Sequence, residues 1–322
     1  MLTSIGRICL VGSVAAPVIG AVATTALRGR GSAGARAAAL LHWAGAALAA
    51  FVVVVVAAHG TAAAGVGSGR SVAVGLVANR LTVTLLVLVL GIGAVVQSFS
   101  VRYLRNDPRA PRFVVGASTL VTSMAVVATS ATLAGLLAGW VLASVGFLAI
   151  VGYRPDLPGV RSSARRVATA FLVGDGALVV ATVVVTLRVG NVALAGPDSL
   201  SHAAGRLGGA GTAVALLVVA AALARCAQGP FGPWLPGTVA APTPVSALLH
   251  AGFVNGGGIL LIRTGAIAAD STAAMVVGFT VAAATAVAAT AIRAGEATRS
   301  SSGATPPGRV IPAPDPRKRV AL

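Results

Sequence analysis

Residues 225–263 read RCAQGPFGPWLPGTVAAPTPVSALLHAGFVNGGGILLIR and combine charged, proline-rich and apolar segments in one short stretch. Arg225 ends one apolar run, and His250 lies about two turns into the next. Five prolines separate these two residues: Pro230, Pro233, Pro236, Pro242 and Pro244. Because proline lacks a backbone donor and clashes with the preceding turn, the sequence predicts a broken helix. Backbone groups freed at bilayer depth are tolerated only inside protein or beside a wet cavity, so the pattern indicates an ion or proton passage.

The overall composition excludes a soluble domain. The chain has 322 residues, of which 57% are hydrophobic and 10% charged, and its mean hydropathy is +0.93. Uncharged apolar segments long enough to cross a hydrocarbon core of ~30 Å recur along it. The sequence therefore predicts an all-α polytopic membrane protein with about nine transmembrane helices and a proline-broken region near residues 229–244. The nine predicted spans are 5–27, 37–58, 74–99, 112–131, 133–153, 167–187, 208–228, 243–263 and 272–292.

The formal net charge of +17 follows the predicted topology. Arginines cluster in alternate loops, at residues 28–36, 102–112 and 154–166, whereas the intervening loops carry fewer. Positively charged loops stay on the cytoplasmic side, so we expect a multi-pass protein of the cell inner (plasma) membrane with its N-terminus outside. Aromatic residues make up only 4% of the chain, which argues against base-stacking platforms and hence against a nucleic-acid partner.

The composition changes abruptly after Arg293. Residues 294–322 are polar, basic and rich in proline, with no apolar periodicity. Such a segment cannot bury enough apolar surface to order itself. The sequence therefore predicts a transmembrane helical domain over residues 1–293 and a disordered basic cytoplasmic tail over 294–322.

Few groups within the predicted spans can carry a proton. The only lysine and the only glutamate, Lys318 and Glu296, lie in the tail. This leaves Asp175, Arg225 and His250, with His42 as a further histidine that no motif supports. Histidine titrates near neutral pH and is the better relay, whereas arginine stays charged and supplies a fixed field or a partner for Asp175.

Structural alternatives to this ion path remain open. Asp175 could instead form a bridge with Arg165 or Arg166 at the start of its helix. Arg225 could extend its charge to the membrane interface. His250 could simply donate to a carbonyl freed by the proline break.

Motifs for other chemistries are absent from the sequence. It contains no GxGxxG after a strand, no P-loop, no HExxH and no CxxC, and its two cysteines, Cys9 and Cys226, lie far apart. Flavin, iron–sulfur and nicotinamide sites are therefore not expected, and neither is a metal site. We expect a transporter subunit without a catalytic redox site or a cofactor of its own.

The stretch around the prolines resembles a known family. Its broken-helix motif consists of RCAQ at 225–228, WLP at 234–236 and PTPVSALLH at 242–250, and includes Gln228, Trp234, Pro236, Pro242, Pro244 and Ser246. It resembles the proton-conducting antiporter-like subunits of respiratory complex I (chain 5) and of the Mrp antiporters. Arg225 in place of lysine, and the sequence HAGFVNGGG at 250–258, are more similar to the membrane subunit of DAB-type inorganic-carbon pumps.

This resemblance implies a subunit that conducts H⁺ or Na⁺ and energises a complex for CO₂ or bicarbonate uptake. Its partners would be the lipid bilayer and a large soluble subunit resembling a carbonic anhydrase. The alternative is a complex I chain 5-like or Mrp-type antiporter subunit that assembles with other membrane subunits. A second alternative is a non-conducting scaffold, since the resemblance implies that the second half of the family fold is missing. Val141 also follows Trp140 where complex I subunits have a glutamate.

Overall fold

The computed structural model describes residues 2–27, 32–66, 74–194, 200–238, 243–249 and 253–301. Residues 1–281 form one compact unit and residues 282–322 a second. The first six helices are α1 (Leu2–Ala26), α2 (Ala33–His59), α3 (Arg80–Tyr103), α4 (Ala110–Thr129), α5 (Leu133–Val151) and α6 (Val160–Val189). The remaining helices are α7 (Leu200–Arg206), α8 (Gly211–Arg225), α9 (Trp234–Gly237), α10 (Thr243–Leu248), α11 (Gly256–Ala269) and α12 (Thr272–Ser301).

Eight helices in the described part of the chain are long and apolar enough to cross a membrane. They are α1 to α6, the segment Gly208–Arg225 that joins a short 3₁₀ turn to α8, and Thr272–Ala291 within α12. Many large apolar side chains on them are exposed, including Leu187 (81%), Leu172 (76%) and Ile8 (72%). Exposed apolar surface on this scale suits contact with lipid rather than water. The predicted all-α polytopic fold is confirmed.

The eighth predicted span, residues 243–263, is wrong as a single helix. The structure has two short helices instead, α10 and α11. The backbone N–H of Val254 bonds to the carbonyl of Leu249 (3.0 Å), which is a wider turn than the α-helix allows. The α-helical ladder is thus interrupted between α10 and α11, beyond the prolines that the sequence points to.

The predicted span 74–99 is also wrong at its start, because residues 74–78 form a strand. The strands β1 (Ala62–Val66) and β2 (Val74–Ala78) pair in antiparallel register, with Ala62 opposite Ala78. Helix α3 begins only after Asn79. The Asn79 side chain accepts from the Thr82 N–H (2.9 Å), and the Thr82 hydroxyl accepts from the Asn79 N–H (2.7 Å). This reciprocal capping box fixes the helix start.

The loops between the long helices gather at two ends of the bundle. At the basic end, the arginine-rich loops meet: Arg154 pairs with Asp107 (3.0 Å), and Arg109 pairs with Asp156. At the hairpin end, β2 and the loops after α4 and α6 meet through isolated bridges, which pair Leu76 with Ser130 and Thr132 with Ala193. Two of the three loops that the charge pattern singles out, 102–112 and 154–166, therefore lie together.

Helix α12 passes residue 293 without a break and continues to Ser301. The second unit is described over residues 282–301, which form the C-terminal part of this helix. No proline occurs between residues 272 and 301 to end it, since the first proline after residue 293 is Pro306. The rest of the predicted tail, residues 302–322, lies outside the described residues.

Candidate functional site

Asp175 lies at the centre of the membrane-spanning helix α6. Val160–Val189 comprises 30 residues, so Asp175 is about 20 Å from either end at 1.5 Å per residue. One end of α6 adjoins the basic end of the bundle and the other the hairpin end. A carboxylate at this depth is costly unless it is paired, which makes its partners the first question to settle.

Helix α8 ends beside Asp175, at the same depth. A Cβ atom on Gly174 would lie 2.7 Å from the Cβ of Ala224, so the glycine is what lets the end of α8 approach α6. Helix α11 begins at this point too. A Cβ on Gly257 would lie 2.5 Å from Cys226 Sγ and would also overlap the carbonyl oxygen of Ala222. A helix end and a helix start therefore meet in the interior of the bundle.

The charged centre of this junction is an ion pair between Arg225 and Asp175. Arg225 Nη2 lies 3.0 Å from Asp175 Oδ1, and the two side chains are 1% and 16% exposed. Ser144 on α5 connects both partners, because its hydroxyl donates to Asp175 Oδ2 (2.5 Å) and accepts from Arg225 Nη2 (2.9 Å). Arg225 Nη2 also lies 3.2 Å from the carbonyl of Trp140. Arg225 Nη1 is buried without a hydrogen-bond partner among the described residues.

Aromatic rings surround the Arg225 guanidinium. Its central carbon lies 4.0 Å from the ring centre of Trp140, 4.5 Å from that of Phe253 and 4.9 Å from that of Phe171. Phe253 in turn stacks on Phe147, with ring centres 4.2 Å apart. The quadrupole of an aromatic face attracts a cation, and the attraction is stronger where water is excluded. The cage thus stabilises the positive charge independently of Asp175.

The backbone groups freed where α8 ends have partners within the protein. The indole N–H of Trp234 donates to the carbonyl of Ala224 (2.9 Å), and the backbone N–H of Gln228 donates to that of Leu223 (3.0 Å). The thiol of Cys226 reaches the carbonyl of Val254 (3.1 Å). These contacts meet the requirement that non-helical backbone at membrane depth be satisfied internally.

The remaining residues of the broken-helix motif fall in different surroundings. Pro244 is buried, whereas Pro236 and Ser246 are exposed. Gln228 is half-buried, and its side-chain oxygen is buried without a partner among the described residues. Pro242 and His250 lie outside the described residues.

The structure decides between several interpretations that the sequence left open. Asp175 pairs with Arg225, and the exposed residues Arg165 and Arg166 provide no bridge to it among the described contacts. Arg225 does not extend to the membrane interface, since it is 1% exposed. His42 is fully buried, and its Nδ1 lies 2.8 Å from the carbonyl of Ala38 in the preceding turn, as suits a structural histidine.

Sequence reasoning missed the residues on α5 that complete the site. Ser144 and Trp140 are four residues apart, and this spacing places both on one face of the helix. This spacing is the sequence feature that could have identified the pair. It was not conclusive, because Ser144 is one of many small residues on α5 that are typical of helix packing. Arg263 was also missed as an interior charge. It is 9% exposed on α11 and donates to the carbonyl of Ser130 near the hairpin end.

The arrangement has one titratable member and one permanent charge. Asp175 can gain and lose a proton, whereas the guanidinium of Arg225 stays charged. When Asp175 is protonated, Arg225 loses its anion but keeps the carbonyl of Trp140, the hydroxyl of Ser144 and three aromatic faces. The ion pair can therefore open while the guanidinium of Arg225 keeps its other stabilising contacts.

Known proteins match this chain over most of its length. Residues 130–296 match the family described as "NADH:quinone oxidoreductase/Mrp antiporter, TM". Residues 66–114 match that described as "NADH-Ubiquinone oxidoreductase (complex I), chain 5 N-terminus". The first match contains α5, α6, α8 and α11, the helices that build the Arg225–Asp175 site. The resemblance predicted from the broken-helix motif is confirmed.

Individual relatives agree with these matches. The chain is 32% identical over 202 residues to the probable inorganic carbon transporter subunit DabB2 of Halothiobacillus neapolitanus, covering 62% of this chain and 37% of the relative. It is 30% identical over 198 residues to NADH-quinone oxidoreductase subunit L of Mycobacterium tuberculosis, covering 61% and 31%. The structure of the Mrp complex from a Dietzia species superposes with a TM-score of 0.63 at 24% identity, covering 82% of this chain and 28% of that one. The chain thus spans about a third of the length of these relatives.

Proposed function

Since this chain belongs to the NADH:quinone oxidoreductase/Mrp antiporter family of transmembrane subunits, we propose that it conducts protons (or Na⁺) through the Arg225–Asp175 site. The observation that carries the proposal is the buried ion pair itself. A carboxylate and a guanidinium lie in contact at the centre of the bundle, where one helix ends and another begins. Intramembrane charges are expensive, and their usual role is to mark an ion path.

In the proposed step, a proton from one side of the membrane joins the carboxylate of Asp175. The neutral carboxyl group releases Arg225 and stays hydrogen-bonded to Ser144. Loss of the proton to the other side restores the ion pair. Ser144 suits this exchange because a hydroxyl can rotate and act as either donor or acceptor.

The aromatic cage explains why arginine can replace the lysine of complex I relatives in this scheme. Arginine cannot relay the proton itself, so it would act as a fixed countercharge that tunes Asp175. Asp175 would also supply the carboxylate that complex I subunits carry after the tryptophan of α5. Here that position is Val141, an exposed side chain, whereas Trp140 faces the site.

His250 stays in the proposal as the next relay group, on the strength of its place in the motif. Leu249 and Phe253 bracket it and are both buried, and Phe253 packs on Arg225. We further propose that the basic end faces the cytoplasm of a cell membrane, in line with the positive-inside rule.

The proposed process is inorganic-carbon uptake, with a large soluble carbonic-anhydrase-like subunit as the partner. Similarity to DabB2 and the sequence HAGFVNGGG at 250–258 support it. The second candidate function is that of a complex I or Mrp-type subunit, which would assemble with other membrane subunits. The sequence identity to subunit L, which nearly equals that to DabB2, favours it.

Proton flux into proteoliposomes under an imposed pH gradient tests conduction. We expect flux with the native chain, alone or with the partner encoded beside it, and loss of flux in Arg225→Ala and His250→Ala. His202→Ala is the matched control, because His202 is an exposed histidine outside the site. No flux in any combination would contradict conduction and leave the scaffold alternative.

Partner identity separates the two candidate processes. Co-purification with a soluble carbonic-anhydrase-like subunit, together with growth of a CO₂-requiring host in air, is the result expected for carbon uptake. Co-purification with other membrane subunits and sodium-dependent flux would instead support the antiporter candidate and contradict carbon uptake.

A further inference from the structure

The basic end of the bundle holds more positive charge than its own acids can neutralise. Its described arginines are Arg36, Arg102, Arg105, Arg109, Arg112, Arg154, Arg161, Arg165 and Arg166, and its aspartates are Asp107 and Asp156. Among the described residues, Arg109 and Arg154 form ion pairs with these aspartates. The other arginines have no acidic partner in the described part of the chain. An anionic ligand would complement this surface.

Part of this charge lines an open cavity of about 660 Å³ between the starts and ends of the first helices. Its charged lining consists of Arg36 at the start of α2, Arg102 and Arg105 at the end of α3, and Arg154 beside Asp107. Four arginines therefore line the cavity together with one aspartate, and three of these arginines have no acidic partner among the described residues. Guanidinium binds phosphate oxygens in pairs, which makes arginine the preferred residue for phosphate recognition.

An apolar strip leads from this cavity along the membrane-facing surface of α2 and α3. Leu40 and Trp43 follow Arg36 at helical spacing and are 70% and 49% exposed. On α3, Tyr103 lines the cavity and stacks on Phe99, with ring centres 5.4 Å apart and both rings about half exposed. At 1.5 Å per residue, the strip on α2 extends about 10 Å from Arg36 to Trp43.

A hydrogen bond holds the two sides of the strip together. The indole N–H of Trp43 donates to the hydroxyl of Ser98 on α3 (2.9 Å), next to Phe99. Tryptophan and tyrosine are enriched at the membrane interface, where one end of each ring system is wet and the other apolar. The cavity and the strip thus join a polar, positive site to an apolar surface.

We propose that this cavity and strip form a binding site for one anionic glycerophospholipid. The arginines bind its phosphodiester, and its acyl chain lies along the strip from Tyr103 to Trp43. A free anion such as phosphate would use the arginines alone, whereas a lipid needs both parts. The site is distinct from the ion pair at Asp175 and does not depend on the proposed conduction.

Native mass spectrometry of the delipidated full chain in detergent tests the proposal, with phosphatidylglycerol and phosphatidylcholine of the same acyl chains as probes. We expect phosphatidylglycerol to be retained preferentially. The variant Arg36→Gln/Arg102→Gln should lower its affinity roughly 30-fold, since each basic residue near an anionic lipid contributes about fivefold. The control Arg165→Gln/Arg166→Gln removes the same charge from exposed positions outside the cavity and should change the affinity far less.

The variant Leu40→Ala/Phe99→Ala tests the strip, and it should weaken lipid binding while every arginine is retained. Equal retention of both lipids, or equal loss in the control pair, would overturn the site. Displacement of the lipid by millimolar inorganic phosphate, with no effect of Leu40→Ala/Phe99→Ala, would overturn the lipid and assign the arginines to a free anion. Thermal unfolding in the same detergent checks that each variant is folded.

Discussion

The buried ion pair predicts a strong energetic coupling between Arg225 and Asp175, which a double-mutant cycle can measure. The substitutions are Asp175→Asn, Arg225→Gln and the two combined. Each single change leaves one polar partner in the bundle interior without its countercharge. The double change removes both charges and leaves two amides that can hydrogen-bond to each other.

The magnitudes follow from the burial of each partner. Breaking a buried pair by removing one charge costs about 3–5 kcal/mol. We expect Asp175→Asn to lower the free energy of unfolding by about 3 kcal/mol, at the lower end of this range. The guanidinium is 1% exposed, but three aromatic faces and two oxygen acceptors still stabilise its charge. For Arg225→Gln we expect about 2 kcal/mol, since Asp175 is 16% exposed and keeps Ser144 as a donor. The double variant should lose about 3 kcal/mol, which makes the coupling about 2 kcal/mol.

The assay is unfolding in mild detergent by titration with SDS, followed through tryptophan fluorescence. Two of the three tryptophans, Trp140 and Trp234, are buried, and Trp140 packs on Arg225. The pair of Asp107 and Arg154 is the matched control. Its N···O distance is also 3.0 Å, but Arg154 is 31% exposed, so its coupling should not exceed about 1 kcal/mol. Additive single effects at Arg225 and Asp175, within about 0.5 kcal/mol, would show that the two residues are not coupled.

Two further predictions concern packing and titration. Gly257→Ala should destabilise the protein by about 1–3 kcal/mol, because the new Cβ would overlap the end of α8. The control Gly258→Ala has no atom within 4 Å of its Cβ and should not destabilise the protein. Similar unfolding curves for the two variants would contradict the close approach of α8 and α11. Burial, and after it the negative charge of Asp107, raises the pKa of Tyr153 to about 12. The folded state therefore holds this proton more tightly than the unfolded state, whose tyrosine pKa is about 10. The resulting stabilisation is complete below about pH 10 and is lost as the pH rises to about 12. In a Tyr103→Phe background, Asp107→Asn should move the tyrosinate absorbance titration to lower pH. An unmoved titration would contradict the hydrogen bond that the Tyr153 hydroxyl donates to Asp107 (3.3 Å).

Apolar segment length and loop charge predicted the helical fold well, because both reflect constraints that the bilayer imposes on any chain. The errors came where local chemistry overrides hydropathy. Residues 74–78 are as apolar as a helix start, yet Asn79 caps α3 and leaves them to pair with β1. The span 243–263 is mostly apolar, but the Val254 N–H bonds to the Leu249 carbonyl, which is a wider turn than the predicted continuous α-helix allows.

The candidate site could be predicted only in part. The free-energy cost of placing a charge inside the membrane is enough to single out Asp175 and Arg225, because charged side chains are rare in membrane-spanning segments. Their contact depends on Gly174 and on the length of α8, which together bring the two side chains to the same level. The cage could not be predicted, because Trp140, Phe171 and Phe253 come from different segments of the chain, and without a partner each reads as core packing.

Proton flux through a chain that lacks the Asp175 carboxylate shows whether Asp175 carries the proton. Native chain, Asp175→Asn and Asp270→Asn are placed in proteoliposomes, with the native partner if the chain needs it, and proton entry is followed after a pH jump. Asp270 is an exposed aspartate between α11 and α12, so its variant controls for the loss of one carboxylate. We expect Asp175→Asn to abolish flux in a folded protein, while Asp270→Asn conducts as the native chain does. Undiminished flux in Asp175→Asn would show that Asp175 does not carry the proton.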